Sequence, residues 1–323
     1  MMHAAAANTF PPYHLLDVLA EQATDKARKL ERLYHQTQAH AWDPRVVLDE
    51  LVTQHGEINL PDETREAMGH VFTVLLWGEL AAWNIATDLA RVLPDVAAKM
   101  AATGQAFDEA RHFRVLRDYL ERAKVVLPPV NPYGRRVLAR VLETDSPLQK
   151  LYGMQLLVEN LALAVFKQLR ESKVEPVLTA LLEYIERDEA RHVALGVMYL
   201  PTLLRRSTPL ERVKNWAFNV ELFLLTVAGG VLLDQHFKVM KVDHRELGIT
   251  VARLHQHMVR QMAQESGVAP RELRGVYGLT PDQHNAMIDF LHPAKPREDL
   301  SPMHRRALGT LEAGLRAGAT WVH

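Results

Sequence analysis

The chain has 323 residues, 48% of them hydrophobic, with a net charge of −1 and no cysteine. That apolar content is enough for one large domain or two small ones with a substantial core. The balanced charge leaves no electrostatic footprint for nucleic acid, and the lack of cysteine excludes disulfides, thiolate nucleophiles, cysteine-ligated iron–sulfur clusters and rubredoxin-type sites.

Residues 1–12 read as frayed; lacking a basic start and a long apolar run, they do not form a signal-peptide pattern, and a cytoplasmic protein is expected. Leu15, Leu16, Val18 and Leu19, then Ala27, Leu30, Leu33 and Tyr34, recur at helical spacing and predict one amphipathic helix over residues 13–40. Residues 41–62 are mixed, with a turn at Gly56 and a helix start at Pro61-Asp62. A long helix is expected over 63–93. Its middle, 71–85, is apolar except for Thr73, Glu79 and Asn84, and a bare Glu79 there needs a partner to offset desolvation. Trp77 and Trp83 beside it read as core packing, a pocket wall or an electron relay. A second helix is expected over 95–125, ended by Leu127-Pro128-Pro129-Val130-Asn131-Pro132. After a short helix at 135–142, a third long helix opens at Asp145-Ser146-Pro147 and ends near Ser172, with Glu159 inside the apolar run 154–166. The fourth runs from Val174 or Pro176 to about Arg206, with a kink or break predicted at Pro201.

Beyond residue 206, the segment 211–238 contains the run 217–233, apolar except for Asn219, Glu221 and Thr226; it sits at the low edge for crossing a bilayer, yet it carries Glu221. A buried helix is the expected reading, with an arginine or a hydroxyl partnering Glu221; a membrane-touching helix is the alternative. Further helices are expected at 247–263, 281–291 and 301–319. No strand alternation of useful length occurs, so the protein should be all-α.

One five-residue string occurs twice. Asp108-Glu109-Ala110-Arg111-His112 and Asp188-Glu189-Ala190-Arg191-His192 are identical, 80 positions apart, and a lone glutamate precedes each motif Glu by 30 positions: Glu79 and Glu159. On a helix, positions i and i+3 share a face, so Glu109 with His112, and Glu189 with His192, can reach one ion. Leu93-Pro94-Asp95 and the segment 172–176 lie midway in the two gaps. If each gap is a helical hairpin, its arms run about 14 residues, roughly 20 Å, and return each pair of ligands to the same height. Two such hairpins would bring four Glu and two His to one place, the donor set of carboxylate-bridged dimetal bundles. Four ionised glutamates carry a formal −4, which two divalent cations would offset, and carboxylate with imidazole suits iron or manganese better than zinc.

At these residues the sequence resembles the ferritin-like di-iron carboxylate superfamily, over roughly residues 63–205. The resemblance implies a ferritin-like four-helix bundle within residues 13–206, extended by an N-terminal helix and by a helical C-terminal extension over 207–323. It implies two Fe ions, with Mn/Fe as an option, and O2 as co-substrate. Glu79, Glu109 and His112 would mainly hold one ion; Glu159, Glu189 and His192 the other; Glu109 and Glu189 would bridge. Asp188 would hold His112, Asp108 would hold His192, and Arg111 and Arg191 would neutralise those aspartates. Glu186, one turn before Glu189, is either a further carboxylate or a salt-bridged one.

The chain departs from several relatives. Where superfamily oxygenases carry a threonine past the third glutamate it has Ala162 and Leu163; where p-aminobenzoate N-oxygenases carry a third histidine it has Ile185; where ribonucleotide reductase subunits carry a radical tyrosine it has Leu116. Tyr119, Tyr184 and Tyr199 read as core tyrosines. Three readings follow. The first is an oxidase or oxygenase (monooxygenase, N-oxygenase, desaturase or oxidase type) acting on a small or lipid-like substrate, fed by an external electron donor. The second is an iron-handling or peroxide-scavenging protein, and the third a radical-generating subunit. The first is preferred, because the large extension exceeds what a minimal iron-storage bundle needs, and a homodimer is expected.

Overall fold

The long apolar-periodic stretches become the long helices of the computed structural model, which describes residues 9–10, 13–14, 16, 18, 20, 24–266 and 281–319. A two-residue antiparallel pair, β1 (Thr9–Phe10) with β2 (Tyr13–His14), precedes the helices α1 (Asp25–Ala39), α2 (Pro44–His55), α3 (Asp62–Val92), α4 (Val96–Arg122) and α5 (Pro132–Glu143). Next come α6 (Pro147–Leu151), a π-helical segment (Tyr152–Val158) and α7 (Glu159–Ser172), which form one continuous rod, and then α8 (Pro176–Arg206). The chain continues through α9 (Pro209–Val239), α10 (His244–Ser266), α11 (Pro281–Leu291) and α12 (Pro302–Gly318).

Local chemistry sets the boundaries of the two core hairpins. α3 ends at Leu93, held extended by the following Pro94, and α4 begins after Asp95. α7 ends at Lys173 in the left-handed conformation. The Glu175 carboxylate then accepts from the amides of Val177 (3.1 Å) and Leu178 (2.7 Å), with Pro176 supplying the first helical residue. Between the hairpins, Lys124 at φ 55 and the proline-rich segment carry the chain across α3. Gly69 permits this passage, since a Cβ there would stand 2.4 Å from the Val126 carbonyl oxygen.

The hairpins α3–α4 and α7–α8 form the bundle, with α4 facing α8. α1 and α2 lie over the α4–α8 side, while α9 covers α3 and α10 covers α7 and α8. The C-terminal helices share the bundle's apolar core: Phe218, Leu222, Met258 and Met262 pack with Ile85, Leu151 and Tyr199, and Leu233, Phe237 and Met240 pack with Phe72, Phe166 and Leu182.

Several expectations are corrected. The helix expected over 13–40 is interrupted: Tyr13–His14 pair as a strand, and the helix starts at Asp25 under a Thr24 cap that accepts from the Ala27 amide at 3.1 Å. A helix, α2, occupies part of the segment read as mixed. It opens with Asp43 capping the Arg45 amide at 2.9 Å and Pro44 in the first turn, a start signal that the short apolar run of Val46, Val47 and Leu48 left too weak to extend. Of the kink or break expected at Pro201, the break does not occur: α8 continues as one helix to Arg206. Trp77 and Trp83 are not core residues, being 53% and 38% exposed. α9 is only partly buried: its most apolar window has a mean hydropathy of 1.7 and is 33% buried, because one face packs on the bundle and the other stays open. Glu221 on α9 has the arginine partner expected of it, accepting two bonds from Arg140 at 3.0 and 3.1 Å.

Candidate metal centre

α3, α4, α7 and α8 each turn one buried glutamate inward: Glu79, Glu109, Glu159 and Glu189. His112 and His192, one helical turn after Glu109 and Glu189, face the same space. The donor atoms of Glu79, Glu109, His112 and Glu189 lie within 4.8 Å of one another, and so do those of Glu109, Glu159, Glu189 and His192. Around His112 Nδ1 stand Glu189 Oε1 at 3.1 Å, Glu79 Oε2 at 3.4 Å and Glu109 Oε2 at 3.7 Å. Around His192 Nδ1 stand Glu109 Oε1 at 3.0 Å, Glu189 Oε2 at 3.0 Å and Glu159 Oε2 at 3.8 Å. The halves are near mirror images. Glu79 and Glu159 serve one half each, while Glu109 and Glu189 offer one oxygen to each histidine.

The opposite ring nitrogens cross between the repeats. His112 Nε2 lies 3.3 Å from Asp188 Oδ2, and His192 Nε2 lies 3.3 Å from Asp108 Oδ2. Arg191 donates to both aspartates, at 2.9 Å to Asp108 and 2.6 Å to Asp188. Arg111 donates to Asp188 at 3.1 Å and pairs with Asp108 as well. Two arginines thus offset two aspartates, and the four glutamates keep their own charge unbalanced by them.

Sequence reasoning missed four residues here. Trp42, just before α2, donates its indole N–H to Asp188 Oδ2 at 2.8 Å and stacks on His112 at 6.3 Å between ring centres. Thr37 on α1 donates to Asp108 Oδ2 at 3.3 Å. Gln105 donates to both Glu109 (3.0 Å) and Glu159 (2.9 Å), and Gln155 on the π segment donates to Gln105 Oε1 at 3.0 Å. Only Gln105 had a readable signal, since it stands one turn before Glu109 on the same face. Its counterpart in the second repeat is the apolar Ile185. Glu186 does not join the cluster: its carboxylate accepts from Arg170 at 2.9 Å, because its place on α8 faces the hairpin partner α7 and not the bundle axis. Tyr119 and Tyr199 donate to Glu175 and Asp95 at helix starts.

Burial makes the four carboxylates compete for protons. It pushes Glu79 up to about 8, against the hydrogen bond from His112 and with the charge of Glu189 adding to the rise. Burial, with the charges of Glu109 and Glu189, also pushes Glu159 well above the usual range. Burial alone would raise Glu109 too, but the charge of His192 and hydrogen bonds from both histidines hold it low. Glu189 falls to about 2, as burial and the Glu109 charge are outweighed by His192, Glu159 and His112. Both histidines rise well above their ordinary value, since bonds and charges from these carboxylates and the aspartates overcome burial. Even so, Glu79 Oε2, Glu109 Oε2 and His112 Nδ1 are buried without a well-aligned hydrogen bond among the described residues, their mutual approaches being close but poorly directed. Buried acceptors left over in a carboxylate–imidazole set are what one or two cations would satisfy, and the histidine-to-aspartate bonds match the support that metal-bound imidazoles take.

All four glutamates also border a cavity of ≈ 240 Å³ that runs between α3, α7, α9, α10 and α11. Its walls are mainly aliphatic and aromatic, among them Leu75, Leu156, Val165, Phe223, Leu233 and Ile288. Ala162 lies on this wall. Two histidines on the wall are held neutral: burial pushes His255 down to about 3, and burial, with His244 alongside, pushes His292 down to about 4.

No protein-family model matches the chain, and no curated protein matches it. Solved structures do. A protein with aldehyde deformylating oxidase activity from Synechococcus superposes with a TM-score of 0.53 at 22% identity, over 66% of this chain and 96% of that one. A variant of an R2-like ligand-binding oxidase with an aerobically reconstituted Mn/Fe cofactor superposes with a TM-score of 0.54 at 16% identity, over 80% and 98%. Another, with an Fe/Fe cofactor, gives 0.55 at 15% identity, over 78% and 98%. The chain has the ferritin-like fold. At these identities the likeness is one of architecture. The ferritin-like bundle here carries α9, α10 and α11 on the side of Glu79 and Glu159, and these helices close the cavity.

Proposed function

We propose that Glu79, Glu109, His112, Glu159, Glu189 and His192 hold two Fe ions, or Mn and Fe, and that the protein is an O2-dependent oxidase or oxygenase acting on a small or lipid-like organic molecule. The observation that carries this reading is a two-fold set of six buried donors opening onto an apolar cavity. The chain's likeness to oxidase structures with Mn/Fe and Fe/Fe cofactors supports it. Bound metals of this type would supply the redox chemistry toward O2. The chain's residues do the rest. Glu109 and Glu189 would contribute an oxygen to both ions and Glu79 and Glu159 to one each, while Asp188 and Asp108 hold the imidazoles in place from their Nε2 side. The aliphatic wall excludes water and orients an apolar substrate beside the carboxylates. The hydrogen-bonded run from half-buried Trp42 through Asp188 to His112 is the route by which we expect an external donor to reduce the site. An iron-handling protein would need no such cavity.

The test is metal analysis of the purified chain, then anaerobic Fe(II) loading and exposure to O2, followed by absorption and by product analysis with 18O2 on apolar candidates. Two metals per chain and an O2-dependent absorbance change support the reading, and label in the product distinguishes oxygen insertion from dehydrogenation. A chain that takes up no iron, or only one tightly bound zinc at these residues, sinks it.

A further inference from the structure

We infer that Asp234, His244 and His292 form a second, separate site for one divalent cation of the zinc type. The three come from different elements: Asp234 from late α9, His244 from the first residue of α10, and His292 from the residue after α11. Their donor atoms lie within 4.8 Å of one another, and none of them belongs to the carboxylate centre. His244 Nδ1 stands 3.0 Å from Asp234 Oδ1, within the 3.0–3.8 Å that separates imidazole nitrogen from carboxylate oxygen in the glutamate cluster. The two imidazoles lie 4.3 Å apart between ring centres, inclined by 24°. Two imidazoles with one carboxylate make an N2O donor set, which suits zinc and leaves a position open for water or another ligand. The group borders the cavity, since His244 and His292 are on its wall.

The surroundings hold the donors in place before any ion arrives. Arg245, next to His244, donates to the His292 carbonyl at 2.7 Å and to Asp289 at 2.6 Å, which ties the end of α11 to the start of α10. Phe237 packs edge-on to the His244 ring at 5.3 Å. Lys241 at φ 59 makes the tight turn that returns α10 beneath Asp234. Lys238 takes the other carboxylate oxygen of Asp234 at 2.5 Å from a largely exposed position. It competes with a cation for charge but leaves Oδ1 to the site. A bound ion would join α9, α10 and α11, and would thereby fix the wall that these helices give the cavity.

The experiment is zinc titration of the chelator-stripped full chain against a chromogenic competitor, for the wild type, His292→Ala and Asp234→Asn, with helicity checked by circular dichroism. The wild type should bind one zinc equivalent more than either variant, or bind that equivalent at least tenfold more tightly, whatever the glutamate cluster takes up. Zinc should also raise the melting temperature of the wild type more than that of His292→Ala. Equal zinc binding by folded wild type and variants overturns the site. Where both variants lose the fold, Lys238→Met decides. Removing the competing ammonium should tighten the extra equivalent several-fold, and an unchanged affinity overturns the inference.

Discussion

Glu109 and Glu189 each turn one oxygen toward each histidine, whereas Glu79 and Glu159 reach one histidine only. If these are metal ligands, their losses should differ in kind. Glu109→Ala or Glu189→Ala is predicted to lower the metal content from two per chain to none, and Glu79→Ala to about one, as read by elemental analysis after gel filtration. Equal losses from all three variants would contradict the bridging assignment. Trp42 is a second residue-scale case. It donates to the carboxylate that orients His112, yet it touches no glutamate of the cluster. Trp42→Phe is therefore predicted to leave metal content unchanged while slowing reduction of the oxidised site by an external one-electron donor. An unaltered rate in stopped-flow would remove the indole from that route.

Among the elements, the π segment Tyr152–Val158 has a direct consequence for the site. It widens the rod just before Glu159 and carries Gln155 onto Gln105, which donates to Glu109 and Glu159. α8 accommodates the segment through Gly196, where a Cβ would stand 2.8 Å from Gln155 Cβ and 3.2 Å from Leu156. In an open helix Gly→Ala stabilises by about 1 kcal/mol. At Gly196 the clash reverses the sign, and Gly196→Ala is predicted to destabilise by about 1–3 kcal/mol, measured as a lower denaturant midpoint at unchanged slope. A midpoint that rises would mean the π segment yields freely.

For the whole molecule, proton uptake and the open face of α9 make separate predictions. Glu79, raised to about 8 from an ordinary 4.5, holds a proton in the folded chain that the unfolded chain releases above about pH 4.5. Glu159, His112 and His192 are shifted up as well, so their contributions have the same sign. The folded state binds the extra protons, so the stability of the chelator-stripped chain should fall as pH rises from about 5 to 8, whereas cations that replace those protons should abolish the fall. Melting temperatures against pH, with and without Fe(II) under anaerobic conditions, check both halves. The opposite slope in the stripped chain would rule out these protonation states. On the outside, α9 exposes Leu210, Val213, Trp216 and Leu224 along its length. We read this face as the contact between two copies, so Trp216→Glu with Leu224→Glu should convert a dimer to a monomer in light scattering. A wild-type monomer would sink that reading.

The sequence by itself determined the four glutamates, the two histidines and the hairpin pairing, because helical periodicity turns spacing into geometry: Glu-x-x-His shares a face, and a turn midway between two glutamates returns them to one height. The crossed Asp108 and Asp188 contacts were expected only from the resemblance to di-iron carboxylate proteins, since spacing along one chain does not say which repeat an aspartate reaches. Tertiary structure alone decided the rest. Trp42, just before α2, and Thr37, on α1, reach the site across 146 and 71 positions of chain, and no local pattern encodes such contacts. The π segment depends on one glycine in a different helix. Glu186 had the right spacing, but the neighbouring α7 offered Arg170 and took it out of the cluster. The cavity and the Asp234, His244 and His292 group exist only where α9, α10 and α11 close over the bundle, a matter of packing between elements whose sequences say only that each is a helix.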